Sequence, residues 1–464
     1  MKLALLIANR GFFPSSVIRS AREEMTAALS RAGLEVLCME ESATRYGAVE
    51  TTAEGMIFAN FLQAHKGEYD GLIICLPNFG DENGIKAAIR DCGVPILLQA
   101  YPDALEEMDF EHRRDAFCGK LALTSVLKQM GIPFTTFLPF TVHPNSKAFD
   151  EQLQKFAAIC RIVKQMRYVR LGAMGARTTA FKSVRFDEMA LERRGIDVET
   201  YDLSILFSRI GRLDDQDPGV QKRLKDLHRV ADFSCAPAGR DLILAKFAAA
   251  VDTIVQEDHL QALAIRCWSE LQQELGITPC AAMGLMNQEG LPAVCEMDVT
   301  NAISMMGLSL ASGEASGCLD WNNNYGDDPN KCILFHCGPL PMDLMEGPGQ
   351  VQQHKMLSKS YGQGCSWGLN VGKVKKGLIT YSGMRTENGE VQFYVGTANV
   401  VDAPVAPEFF GVHAVVETED LQKKLKTISE AGFRHHVTIT RGDVAEAVQE
   451  AFTKYLGYKQ IVIE

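Results

Sequence analysis

Over its first 140 residues the chain alternates short apolar runs with amphipathic stretches, the pattern of a parallel sheet covered by helices. Residues 2–8, 35–39, 71–75 and 94–99 read as strands, and residues 15–32, with Ser15 as a cap, 53–66 and 83–92 as helices between them. A βαβαβαβ order predicts a doubly wound unit, in which ligands gather at the carboxyl ends of strands. The loops Asn9-Arg10-Gly11-Phe12-Phe13-Pro14 and Pro77-Asn78-Phe79-Gly80-Asp81 lie at such ends. The first carries no GxGxxG, and no GxxxxGK[ST] occurs anywhere, so no nucleotide cofactor is expected.

The pattern then repeats. Residues 149–166 read as a crossover helix, 168–172 and 197–201 as strands, and 242–257 and 260–275 as helices. After about residue 305 the texture turns rich in Gly, Asn and Pro, with strands at 332–336, 373–381 and 392–397. The predicted fold is α/β, with two doubly wound α/β domains at 1–150 and 151–305, then a mainly β C-terminal domain at 306–464. A chain of 464 residues exceeds what one core organises.

A formal net charge of −11 argues against nucleic acid and anionic membranes, which need clustered Lys and Arg. The apolar run at residues 3–8 is cut by Asn9 and Arg10, as a buried strand is, and no run reaches membrane-span length; a cytoplasmic protein is expected. The 13 cysteines form no CxxC pair and read as small buried hydrophobes in a reducing compartment.

Three neighbouring apolar runs end in groups able to hold a cation. Ala293-Val294-Cys295 leads to Glu296 and Asp298, which strand spacing would put on one face. Gly317-Cys318-Leu319 leads to Asp320, and Cys332-Ile333-Leu334-Phe335 to His336. Any one junction alone is more often a turn than a ligand, but together they suit a hard-cation site at strand ends. His435 and His436 precede a further strand and a helix at 444–455; imidazole joined to carboxylates suits Mn²⁺ better than structural zinc.

These segments resemble the L-fucose isomerase family, and more distantly L-arabinose isomerase, collinearly over nearly the whole chain. The Asn9-Arg10-Gly11 and Asn78-Phe79-Gly80 loops and residues 164–177 are similar to the family's, and Glu296 and Asp320 stand 24 positions apart, as its two metal-binding carboxylates do. The resemblance implies an aldose–ketose isomerase working through an enediol. Glu296 and Asp320 would be metal ligands and acid/base groups, and His436, ahead of His435, the third ligand; His336 would be a further ligand or a substrate contact. It implies Mn²⁺ first, with Mg²⁺ or Co²⁺ as alternatives, and a homo-oligomer, trimeric or hexameric, in which Arg10 reaches a neighbouring subunit's site. Arg10, Asn78, Trp321, Asn322, Asn323 and His336 are the candidate sugar contacts, with Tyr361 beside them. The substrate would be a free monosaccharide such as L-fucose or a related hexose or pentose. Rival readings are a sulfonated hexose such as sulfoquinovose, with Arg10, Arg177 or Arg385 facing the anion, and a non-catalytic sugar-binding protein.

Overall fold

The computed structural model describes residues 1–406 and 409–463. The chain forms two compact units, residues 1–164 with 450–456, and residues 165–449 with the segment from 457 on.

The first unit holds a four-stranded parallel sheet in the order Glu35–Cys38, Lys2–Ile7, Gly71–Leu76, Ile96–Ala100. Every residue of Gly71–Leu76 is buried, so both faces of the sheet are covered, which is why this strand reads as an unbroken apolar run. Helix Ser16–Arg31 begins where expected, but Ser15 is itself helical and its side chain makes no capping bond. The next helix, Thr52–Ala64, does carry a capping box, formed by Thr51 and Glu54. The order in which strands are added switches sides of the parallel sheet at Lys2–Ile7, and the loops at residues 9–14 and 77–81 leave the carboxyl ends of its two central strands.

The second unit opens with another four-stranded parallel sheet of the same winding, Ile196–Tyr201, Val169–Met174, Ala262–Ile265, Ala293–Cys295. Here the expectation of a helix over 260–275 is corrected: Ala262–Ile265 is a fully buried strand, and only Glu270–Glu274 is helical. A short apolar run buried on all sides has no periodicity to separate strand from helix. The rest is a ten-stranded, largely antiparallel sheet. Its central strands run in the order Glu390–Val401, Gly377–Glu387, His436–Arg441, Ser316–Asn324, Lys331–His336, Val412–Glu417. The single strand expected at 373–381 is two, Trp367–Lys373 and Gly377–Glu387, and the break falls at Val374-Lys375-Lys376.

Helix Val299–Ser312 joins the two sheets. It is almost wholly buried, and its polar side chains are spent on the mixed sheet: Thr300 Oγ1 donates to Met384 O at 2.8 Å, Asn301 Oδ1 accepts from Met384 N at 3.0 Å, and Ser304 Oγ meets Thr438 Oγ1 at 2.7 Å. Each such bond is worth about 1 kcal/mol net, but breaking one strands a buried polar group at about 1–3 kcal/mol. The helix is thereby pinned in rotation and register, and so is the turn that precedes it.

The fold is thus α/β, with parallel-sheet layers followed by a mainly β C-terminal sheet. Among the described residues no helix is long and apolar enough to cross a membrane.

Candidate active site

The parallel strand Ala293–Cys295 ends at Glu296, and Glu296 and Met297 both take left-handed backbone conformations, with φ of 64° and 65°. A non-glycine residue adopts that region at a cost of about 1–2 kcal/mol, so the turn depends on its surroundings. Asp298 ends it by capping the pinned helix, accepting from Asn301 N. Glu296 and Asp298 therefore do not share a strand face. The double turn brings them to opposite edges of one ring instead: Glu296 Oε2 lies 3.0 Å from His436 Nε2, and Asp298 Oδ2 lies 2.7 Å from His436 Nδ1.

His436 opens strand His436–Arg441 and pairs in register with Asp320, so the two side chains share a sheet face. Asp320 sits inside strand Ser316–Asn324, not at its end as the apolar run suggested. Its Oδ1 is 3.7 Å from His436 Nε2 and 3.9 Å from His435 Nε2. That oxygen is buried and has no hydrogen-bond partner among the described residues. His336 does end its strand, with its ring centroid 5.8 Å from that of His436, and its Nδ1 accepts the Cys337 N–H at 2.8 Å. Ligand atoms of Glu296, His336 and His436 fall within 4.8 Å of one another, as do those of Asp320, His435 and His436.

The charges are strongly coupled. Burial alone would push the Glu296 carboxyl up, but the hydrogen bond and charge of His436, the His336 ring and the Trp268 indole outweigh it and bring it to about 2. Asp298 is fully buried, yet Arg434 and His436 hold it well below the usual carboxylate range. Burial pushes His436 down, and Asp298, Glu296 and Asp320 more than reverse this, raising it to about 10. Trp268 Nε1 donates to Glu296 Oε1 at 3.1 Å, and Phe181 packs edge-on against Trp268 and His435.

Glu296, Asp320, Asn322 and His336 line a cavity of about 340 Å³, a volume that suits a monosaccharide. Four thiols, those of Cys267, Cys280, Cys295 and Cys337, also line it, and among its lining residues there is no Lys or Arg. Burial pushes the Cys337 thiol well above its usual range, which keeps that part of the wall neutral.

Other expected contacts lie elsewhere. Trp321 projects from the opposite face of its strand to Asp320, packs into the core against Tyr381 and donates to Tyr394 Oη at 3.0 Å; strand alternation removes it from the cavity. Asn323 is exposed at a bulge that follows Trp321, and Tyr361 ends the helix Lys355–Tyr361 away from the cavity lining. Arg10 and Asn78 belong to the first unit. There Asn78 is fully buried, donates to Asn9 Oδ1 at 2.6 Å and accepts from the backbone N–H groups of Arg10 and Gly80. The Arg10 side chain lies over the Phe79 ring and donates to Gly80 O. Asn78 thus holds the two loops together and exposes nothing to a sugar.

Sequence reasoning missed the hold of Asp298 on His436, the place of Arg434 behind it, Trp268 and the thiol wall. Trp268 lies in the segment expected as helix, the two contacts of Asp298 join residues more than a hundred positions apart, and the four thiols come from separate segments between residues 267 and 337.

Comparison with known proteins agrees with this architecture. The family model described as "Fucose/sulfoquinovose isomerase, N-terminal domain" matches residues 4–167, and that described as "L-fucose isomerase, C-terminal domain" matches residues 334–464. The chain is 23% identical to a sulfoquinovose isomerase from Alkalicoccus urumqiensis over 396 residues, covering 84% of this chain and 85% of that one. It is 23% identical to one from Priestia aryabhattai, covering 73% and 74%, and 20% identical to one from Clostridium sp. (strain MSTE9), covering 65% and 67%. A solved ABC transporter periplasmic solute-binding protein from Actinobacillus succinogenes 130z with bound D-allose matches at 11% identity over 67% of this chain and 92% of that one. Its TM-score of 0.17 carries no argument. The chain belongs to the fucose/sulfoquinovose isomerase family and is an aldose–ketose isomerase.

Proposed function

We propose that Glu296, Asp320 and His436 form a divalent-cation centre at which a sulfonated aldohexose of the sulfoquinovose type is converted to its ketose. The observation that carries the centre is the orphaned Asp320 Oδ1, a buried carboxylate oxygen lying 3.7 Å from the same imidazole nitrogen that Glu296 faces. Two carboxylates and one imidazole suit Mn²⁺, with Mg²⁺ or Co²⁺ as alternatives. A bound cation would supply Lewis-acid stabilisation of the charge that develops on the two sugar oxygens.

The reaction moves one proton between C1 and C2 and one between their oxygens, with no net redox change. Glu296, from the parallel sheet, and Asp320, from the mixed sheet, are the groups that take and return these protons. His336 serves differently. Because its Nδ1 accepts the Cys337 N–H, the ring proton sits on Nε2, so it acts as a hydrogen-bond donor to a sugar oxygen and not as a ligand. Asn322 supplies a further amide to the sugar hydroxyls, and Trp268 steadies Glu296.

The sulfonated substrate is supported by the names of the relatives over 65–84% of the chain. A neutral aldose is the second reading, favoured by a cavity lining without Lys or Arg. The family resemblance further supports a homo-oligomer. The test follows isomerisation in deuterated water with sulfoquinovose, L-fucose, D-arabinose and L-rhamnose, before and after chelation. Solvent deuterium should enter the sugar at C1 or C2, activity should vanish on chelation and return with Mn²⁺, and Glu296→Gln should lose at least about 10²-fold in kcat. Turnover that survives chelation would remove the metal reading, and turnover confined to neutral sugars would favour the second reading.

A further inference from the structure

Asp298 is fully buried, and every group around it is committed. It accepts from His436 Nδ1 at 2.7 Å, from Asn301 Nδ2 at 2.8 Å, from Asn301 N at 3.3 Å and from the Arg434 guanidinium. Arg434 is buried in turn, and its Nη1 also donates to Thr300 Oγ1 at 2.8 Å while its Nε donates to Ser183 O at 2.9 Å. A buried carboxylate held from four directions cannot rotate to follow the ring it holds. The ring must conform to the carboxylate.

We infer that Asp298, braced by Arg434 and Thr300, is the positioning residue of the centre: it fixes the plane of the His436 ring and the proton on Nδ1, so that Nε2 is the atom presented between Glu296 and Asp320. This rests on the metal reading above. Asp298 touches neither the cavity nor the ligand atoms of Glu296 and Asp320; it acts through the ring. Outer carboxylates of this kind orient an imidazole and raise its donor strength, and their loss typically costs 10–100-fold in metal affinity. Asp298 also caps the helix that follows the double turn, so one side chain sets both the turn that delivers Glu296 and the ring that Glu296 faces.

The experiment measures Mn²⁺ affinity by chelator competition for the unaltered chain, Asp298→Asn and Asp298→Glu, with the melting midpoint of each metal-free protein alongside. Asp298→Glu keeps the charge that faces Arg434, so it covers the case in which Asp298→Asn fails to fold. The expected result is Mn²⁺ binding weakened by about 10–100-fold, with kcat recovering when Mn²⁺ is raised to saturation. Loss of fold alone would lower the midpoint without rescue by Mn²⁺, and that outcome overturns the inference. Equal affinity in the unaltered and variant chains would overturn it while leaving the metal reading standing. No saturable Mn²⁺ binding by the unaltered chain would remove that reading, and the inference with it.

Discussion

A histidine has two ring nitrogens, and what holds one decides how the other is used. In His436 the held nitrogen faces the Asp298 carboxylate, which leaves Nε2 toward two more carboxylates; in His336 it faces a backbone N–H, which leaves an N–H toward the cavity. Two identical side chains are thus held differently, His336 by the backbone of its own neighbour and His436 by a carboxylate 138 positions away. Lys120 shows the same dependence outside the site. It is almost fully buried, donates to Phe140 O at 2.6 Å and has no carboxylate partner among the described residues, so burial brings its ammonium down to about 8 from 10.5. A lysine whose folded value is depressed binds its proton more tightly when unfolded. The cost of burying the charge is in full force below about pH 8 and fades as pH rises toward 10.5. Relative to Lys120→Met, the unaltered chain should therefore gain stability between pH 8 and 10.5, read as the difference in melting midpoint. A difference that stays flat over that range would show that the amine titrates normally.

At the scale of elements, the site depends on how strands end. The turn at Glu296 and Met297 needs the pinned helix behind it, and the loop after His336 needs Gly338. Gly338 has φ of 122°, and a Cβ there would stand 2.4 Å from Asn370 O and 2.6 Å from Asn370 N, both backbone atoms of strand Trp367–Lys373. Gly338→Ala should cost about 2–3 kcal/mol and displace His336, so both the melting midpoint and kcat should fall; an unchanged midpoint would show that the loop yields freely. The strands themselves were largely legible. Residues 2–8, 71–75, 332–336 and 392–397 each fall on an observed strand, because alternation and unbroken apolar runs are local properties. The segment 260–275 was not legible, since Ala262–Ile265 is buried on every side. Trp321 was misplaced for a related reason: alternation tells which residues share a face, not which face meets the cavity.

At the scale of the whole molecule, the polypeptide mass is 51.1 kDa, and light scattering should return three or six times that value; a single-chain mass would remove the proposed oligomer. The amino-acid sequence by itself determined the α/β winding, the change to a mainly β end, the exclusion of a nucleotide loop and the candidates Glu296, Asp320 and His436. Periodicity, composition and strand-end chemistry are written locally, and family resemblance linked what local pattern left apart. Only the tertiary structure decided which side chains meet. Sheet register set Asp320 opposite His436, a left-handed double turn put Glu296 and Asp298 on two edges of one ring, and Arg434 reached Asp298 across 136 positions of chain. Those contacts are long-range, and burial, which sets the strength of each charge among them, exists only once the sheets have packed.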